Sequence, residues 1–207
     1  MRIVIDLQGA QGSSRDRGIG RYSLSLALAI ARNRGTHDVI IALNAAFAES
    51  VDTIKAAFEN ILPPDNIRSW YAAYPVDFSN EANEWRAGAA ALIREYFLES
   101  LQPDVVHITS LFEGFGDDAI HSIGVKPCSA SVAVTLYDLI PLIQKDVYLE
   151  PNPRYKKFYY EKIYDLEKAD LLLAISASSA HEPAKHLTSF RGAITNIAAA
   201  ADAISGD

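Results

Sequence analysis

The stretch Gln8-Gly9-Ala10-Gln11-Gly12-Ser13-Ser14-Arg15-Asp16-Arg17-Gly18-Ile19-Gly20-Arg21-Tyr22 holds four glycines and three arginines and runs into a helix-period segment. Glycine lets backbone approach a ligand, and the free N–H groups of a helix start favour an anion. Gly18, Gly20 and Arg21 are therefore candidate contacts to a phosphate-like group. Neither familiar nucleotide fingerprint is completed. Ser23 stands where a third glycine or alanine would follow Gly18-Ile19-Gly20, and the second apolar run ends at Asn44, without the acid that would hold a ribose. No Gly-Lys-Ser/Thr occurs, which excludes a P-loop.

Hydroxyls and carboxylates gather in three further places. In Thr109-Ser110-Leu111-Phe112-Glu113-Gly114-Phe115-Gly116, Ser110 and Glu113 can hydrogen-bond a hydroxyl-rich ligand. Tyr137 and Asp138 follow the apolar run Val132–Leu136, and a carboxylate there either accepts ligand hydroxyls or caps the next turn. Ser179 and Glu182 have capping-box spacing, which gives the serines after Ile175 a structural role. His107 lies inside an apolar run and reads as a hydrogen-bonded core histidine. His181 and His186 are five apart, so on a helix they diverge by about 140° and form no zinc pair. Cys128 has no base beside it and reads as a packing residue.

Short apolar runs alternating with helix-period segments position these groups. Strands are expected at 2–8, 38–44, 67–70, 105–109, 130–136, 171–175 and 193–197. Helices are expected at 20–32, 50–60, 80–101, 154–168 and 178–187. Continuous apolar strands separated by helices specify an α/β fold, a doubly wound, mostly parallel sheet of about seven strands covered on both faces. In the helix at 80–101, Trp85, Ala89, Leu92, Tyr96 and then Leu98 or Glu99 are the expected inward stripe. In the one at 154–168, Tyr155, Phe158, Tyr159, Ile163 and Leu166 point inward and Lys156, Lys157, Tyr160 and Tyr164 outward. The outer face can stack on sugars or rest at a membrane interface. No repeat or linker divides the chain, so one domain is expected.

Composition narrows the class. Of 207 residues 49% are hydrophobic, enough for a sizeable core. Lys plus Arg number 19 against 26 Asp plus Glu, and the net charge of −7 opposes non-specific attraction to nucleic acid. A single cysteine excludes an internal disulfide framework and any multi-cysteine metal site. The opening Met-Arg-Ile-Val-Ile-Asp reads directly as a strand without a signal-peptide core, so a cytoplasmic location is expected.

Taken in order, Gly18-Ile19-Gly20-Arg21-Tyr22, Val106-His107-Ile108-Thr109-Ser110-Leu111-Phe112-Glu113-Gly114, Val134-Thr135-Leu136-Tyr137-Asp138-Leu139-Ile140-Pro141-Leu142 and Ala174-Ile175-Ser176-Ala177-Ser178-Ser179 carry a resemblance. The chain resembles the N-terminal, acceptor-side domain of a retaining glycosyltransferase with the two-Rossmann (GT-B) architecture, in the "group 1" family of bacterial polysaccharide assembly. The resemblance implies transfer of a sugar from a nucleotide-sugar donor to a saccharide or lipid-linked saccharide, with no metal or resident cofactor. Asp138 and Tyr137 would be catalytic, although this family usually carries histidine at the position of Tyr137. Gly18, Gly20 and Arg21 would meet the donor diphosphate, and Ser110 and Glu113 the acceptor. Peripheral contact with the inner face of the cell membrane would fit such an enzyme. Residues 1–200 would form the N-terminal domain and 201–207 the start of the connection to a donor-binding domain absent from this sequence. A self-standing, noncatalytic sugar- or nucleotide-binding domain is the alternative.

Overall fold

A computed structural model describes residues 1–198. Seven parallel strands form one sheet in the order β3-β2-β1-β4-β5-β6-β7. They are β1 (Arg2–Asp6), β2 (Asp38–Asn44), β3 (Ile67–Trp70), β4 (Val105–Ile108), β5 (Ser131–Leu136), β6 (Leu171–Ala174) and β7 (Ala193–Asn196). The helices are α1 (Gly18–Arg32), α2 (Ala48–Ala57), α3 (Glu84–Ser100), α4 (Ile140–Ile143), α5 (Lys145–Tyr148), α6 (Pro153–Leu166) and α7 (Ala177–His186). Strand order reverses between β1 and β4, the switch point where open α/β sheets leave a crevice beyond the strands' carboxyl ends. The expected fold class and every expected strand are present, while α4 and α5 fill a stretch read as loop. The expected connection at 201–207 lies outside the described residues.

Alternation along the strands builds a core on each face. Ile5, Val39, Ile41 and Leu43 pack with Ala27 and Ala31 of α1 and Val51 and Ile54 of α2. Val4, Val106, Ile108, Val134 and Leu136 pack with Leu98 of α3 and Tyr159, Ile163 and Leu166 of α6. The inward face of α6 is the one its sequence specifies: Phe158, Tyr159, Ile163 and Leu166 are buried, Tyr155 is half-buried, and Lys157, Tyr160 and Tyr164 are exposed.

Helix α3 departs from its sequence pattern. Trp85 is 70% exposed, Tyr96 58% and Leu92 41%, while Ala90 and Arg94 face inward together with Leu98, the one member of the expected stripe that is buried. The inward face is set by polar partners. Arg94 donates from Nε to Asp6 at the end of β1 and from Nη1 to the Ser122 carbonyl, at 2.6 and 3.0 Å. Glu95 accepts from the Ser122 hydroxyl and the backbone N–H groups of Val125 and Lys126. These bonds hold down the helix-free connection between β4 and β5. Cys128, expected to pack, is exposed in that connection.

Candidate functional site

The glycine-rich segment is built into the switch point. After β1 the chain turns through a 3-10 segment, Gln8–Ala10, whose residues are buried. Gln8 donates to both Asp6 carboxylate oxygens and to the Ile120 carbonyl, and its Oε1 accepts from Asn44 and from the Ile120 N–H. Gln11 accepts from the Asn44 N–H at 2.7 Å and donates to the Asn44 carbonyl and Ser50. The side chain of Asn44, where a ribose-binding acid was sought, thus ties this loop to β2. A Cβ on Gly9 would stand 2.8 Å from the Ser110 Cβ and 2.9 Å from Ser23 Oγ, so only glycine lets α1 and the segment after β4 approach this closely. A Cβ on Gly20 would stand 2.4 Å from the Ser14 carbonyl, which accepts the Gly20 N–H.

The start of α1 is open at Gly18 and Ile19, while the Gly20 N–H is taken by the Ser14 carbonyl. Its N-cap, Arg17, makes no side-chain capping hydrogen bond, and the first turn holds no acid. Arg17, Gly18 and Arg21 are exposed around these N–H groups, so the turn presents positive partial charge to the crevice.

Ser110 and Glu113 meet each other. Glu113 accepts from Ser110 at one carboxylate oxygen and from Ser14 of the glycine-rich segment at the other, both at 2.9 Å. Burial pushes the Glu113 carboxyl up, and the two hydroxyls work against that rise. The buried carboxyl therefore joins the loops after β1 and β4 while lying at the crevice.

Tyr137 and Asp138 diverge. The Tyr137 hydroxyl donates to the Ile19 carbonyl at 3.2 Å and shares a 3.0 Å hydrogen bond with Ser23, and its ring meets Tyr22 edge-on. Burial pushes this phenol's pKa well up, so it stays protonated as a donor. Tyr137 thereby braces the first turn of α1. Asp138 is exposed, and its Oδ1 accepts from the Ile140 N–H at 3.0 Å, the turn-capping bond its sequence allows. Its other oxygen has no hydrogen bond among the described residues.

The remaining readings divide. His107 is a core histidine bonded through Nε2 to Thr135 at 2.8 Å, and burial lowers its pKa to about 4. The serine cap of α7 is displaced from the expected pattern: Ser176 is the N-cap and accepts from the Ser179 N–H, while Glu182 turns away to the Leu139 N–H at 2.8 Å. This bond and one from the Ser179 hydroxyl to the Tyr137 carbonyl pin the segment carrying Asp138. Sequence reading missed Asp6, Arg94, Gln8 and Asn44, whose network supports the edge from beneath. Nothing local marks Asp6 as the partner of Arg94, 88 positions away.

No family model matches the chain. It is 32% identical over 201 residues to a serotype-specific mannosyltransferase WbdA of Escherichia coli, a match covering 97% of this chain and 24% of that protein. A second Escherichia coli protein of that name is 31% identical over 176 residues, covering 84% of this chain and 22% of the relative. The chain thus spans about a quarter of the length of the curated relatives it matches. In fold it is similar to the crystal structure of Arabidopsis thaliana UGT89C1 complexed with UDP, with a TM-score of 0.51 and 12% identity over 95% of this chain and 48% of that one. The sequence likeness is thus to part of proteins named mannosyltransferases, and the structural likeness shows a Rossmann-like α/β fold similar to that of a GT-B glycosyltransferase. Among the described residues no helix is long and apolar enough to cross a membrane.

Proposed function

We propose that this chain is the acceptor-side half of a retaining glycosyltransferase, moving a sugar from a nucleotide-sugar donor to a hydroxyl of a saccharide or lipid-linked saccharide. The observation that carries the reading is that up to 97% of this chain matches part of proteins named mannosyltransferases, and Glu113 and Tyr137 support it by bonding to the glycine-rich segment and to α1 beside the switch point of the sheet. The chain covers a small share of those relatives, which favours a part of a larger enzyme over a self-standing binding domain.

The open first turn of α1 receives the donor diphosphate. Negative charge grows on that group as the sugar departs, and the N–H groups with Arg21 stabilise it without rearranging. Gly20 allows the turn to close on Ser14, and Tyr137 holds the turn in place by its bond to Ile19. Tyr137 is therefore a positioning residue in this reading. Ser110 and Glu113 contact acceptor hydroxyls, and Asp138 orients the hydroxyl that reacts through its unengaged oxygen. The nucleotide sugar is the substrate, and the reading requires no metal or resident cofactor. Contact with the membrane face belongs to this proposal through a lipid-linked acceptor.

The test is transfer from radiolabelled nucleotide sugars to saccharide acceptors by the complete enzyme carrying this domain, with product anomers assigned by NMR. Arg21→Ala is expected to raise the donor KM about tenfold or more, the loss of one charge-assisted phosphate contact. Binding of nucleotide sugars without transfer would favour the noncatalytic alternative, and inverted products would remove retention.

A further inference from the structure

Tyr155, in the first turn of α6, carries a hydroxyl that the fold does not use. Asn152 caps the helix by accepting the Tyr155 N–H at 3.0 Å and Pro153 opens it, so the backbone here is fixed. The ring is clamped by three others: Phe115 meets it at 4.9 Å near a right angle, Tyr159 at 6.0 Å, and Phe158 at 6.1 Å and 26° from parallel. Tyr155 is half-buried, and its hydroxyl makes no hydrogen bond among the described residues. Unlike the unpartnered hydroxyl of Tyr159, it is not closed off from solvent.

The clamp keys this hydroxyl to the crevice. Phe115 follows Glu113 across Gly114, whose φ of +104° and approach to the Ala119 carbonyl, 2.2 Å from where a Cβ would stand, admit only glycine. That turn sends Glu113 to Ser14 and Phe115 to Tyr155. Burial, and then the negative charges of Asp138 and Glu113, push the Tyr155 phenol up, so it stays protonated at neutral pH. Of the hydroxyls at the crevice, Ser14, Ser23, Ser110 and Tyr137 are bonded to neighbouring groups. Tyr155 and the second oxygen of Asp138 are unspent. A carboxylate only accepts, whereas a phenol also donates. Together they complement two neighbouring hydroxyls of one sugar, while an anionic ligand would face the charge of Asp138.

We propose that Tyr155 binds the acceptor saccharide, donating to a hydroxyl beside the one that Asp138 orients, and so selects acceptors that carry a neighbouring pair of hydroxyls. The identity of the ligand rests on the sugar-transfer reading, while the clamped ring and its free hydroxyl rest on their own geometry. A site built to meet a substrate hydroxyl discriminates against an analogue that lacks it.

The experiment compares wild type with Tyr155→Phe in the complete enzyme carrying this domain, by transfer kinetics and by calorimetric titration with linear mannotriose in the absence of donor. The substitution keeps the ring contacts and removes an unbonded hydroxyl, so thermal stability is expected to hold. The acceptor KM and the mannotriose Kd are expected to rise about tenfold, with the donor KM unchanged. Among monodeoxy mannotrioses, one is expected to bind both proteins equally, because it lacks the hydroxyl that Tyr155 meets. An unchanged acceptor KM in an active enzyme would overturn the inference and leave sugar transfer standing. A fall in stability with a rise in both KM values would overturn it too, by showing that the hydroxyl serves the fold. If the enzyme transfers no sugar, the titration decides alone: a tenfold loss of mannotriose binding in Tyr155→Phe upholds the contact, and equal or absent binding in both proteins overturns it.

Discussion

Arg94 Nε lies 2.6 Å from Asp6 Oδ2 in an ion pair whose side chains are both closed off from solvent. Burial works to raise the Asp6 carboxyl, but Arg94, His121 and the bond from the Gln8 N–H together hold it below the usual carboxylate range. Through Gln8 the pair reaches the glycine-rich segment, and through Arg94 it reaches the segment after β4. One buried contact thereby fixes both walls of the crevice.

Arg94→Met should lower stability by about 3–5 kcal/mol, because it leaves the Asp6 charge buried and unpaired. Adding Asp6→Asn should restore part of that loss. Urea denaturation of the two variants measures it, and a loss under about 1 kcal/mol for Arg94→Met would show that Asp6 does not depend on this partner.

Two buried histidines should make the domain acid-sensitive. Burial lowers the pKa of His107 to about 4 and that of His121 to about 3, against about 6.5 unfolded. Below pH 6.5 the unfolded chain binds protons that the folded chain refuses, so stability is full above that pH and falls as pH drops toward the folded values. Each histidine contributes a slope of up to about 1.4 kcal/mol per pH unit in that window. Urea midpoints at pH 7, 6 and 5 should fall steadily, and less steeply in His121→Phe. Equal midpoints at pH 7 and 5 would contradict the burial of both rings.

The glycines of the loop should separate by position. Gly20→Ala drives a Cβ into the Ser14 carbonyl, and relieving it moves backbone, at a cost of about 1–3 kcal/mol. Gly18→Ala meets nothing and should be neutral or slightly stabilising. Thermal unfolding of the pair decides this, and equal effects would mean that the loop does not close on the first turn of α1.

The strands were legible because a parallel sheet covered on both faces needs continuous apolar runs, and Val39–Leu43 or Leu171–Ala174 could serve no other surface. The loops at the carboxyl ends followed from those strands. Helix α3 was misread because its periodicity is apolar on the side of Trp85 and Tyr96, whereas its inward face is chosen by Arg94 and Glu95 meeting partners remote in sequence. Tyr137 was legible as a residue at the edge but not in its direction, which depends on Ser23 and Ile19 across the crevice.

Substitutions at Tyr137 and Asp138 should separate bracing from chemistry. Tyr137→Phe keeps the edge contact with Tyr22 and loses the bonds to Ile19 and Ser23, so stability should fall by about 0.5–1.5 kcal/mol. In the complete enzyme its effect should appear in donor KM, since what it supports is the first turn of α1. Asp138→Asn retains an oxygen for the Ile140 N–H and removes only the charge, so thermal stability should hold while kcat falls at least tenfold. Asp138→Ala loses cap and charge together, and should add about 0.5–2 kcal/mol of destabilisation to the same loss of kcat. Steady-state kinetics beside thermal unfolding distinguishes the cases. If Asp138→Asn keeps full turnover while Asp138→Ala loses turnover only in step with its stability, Asp138 is a turn cap and the acceptor hydroxyl is oriented from Ser110 and Glu113.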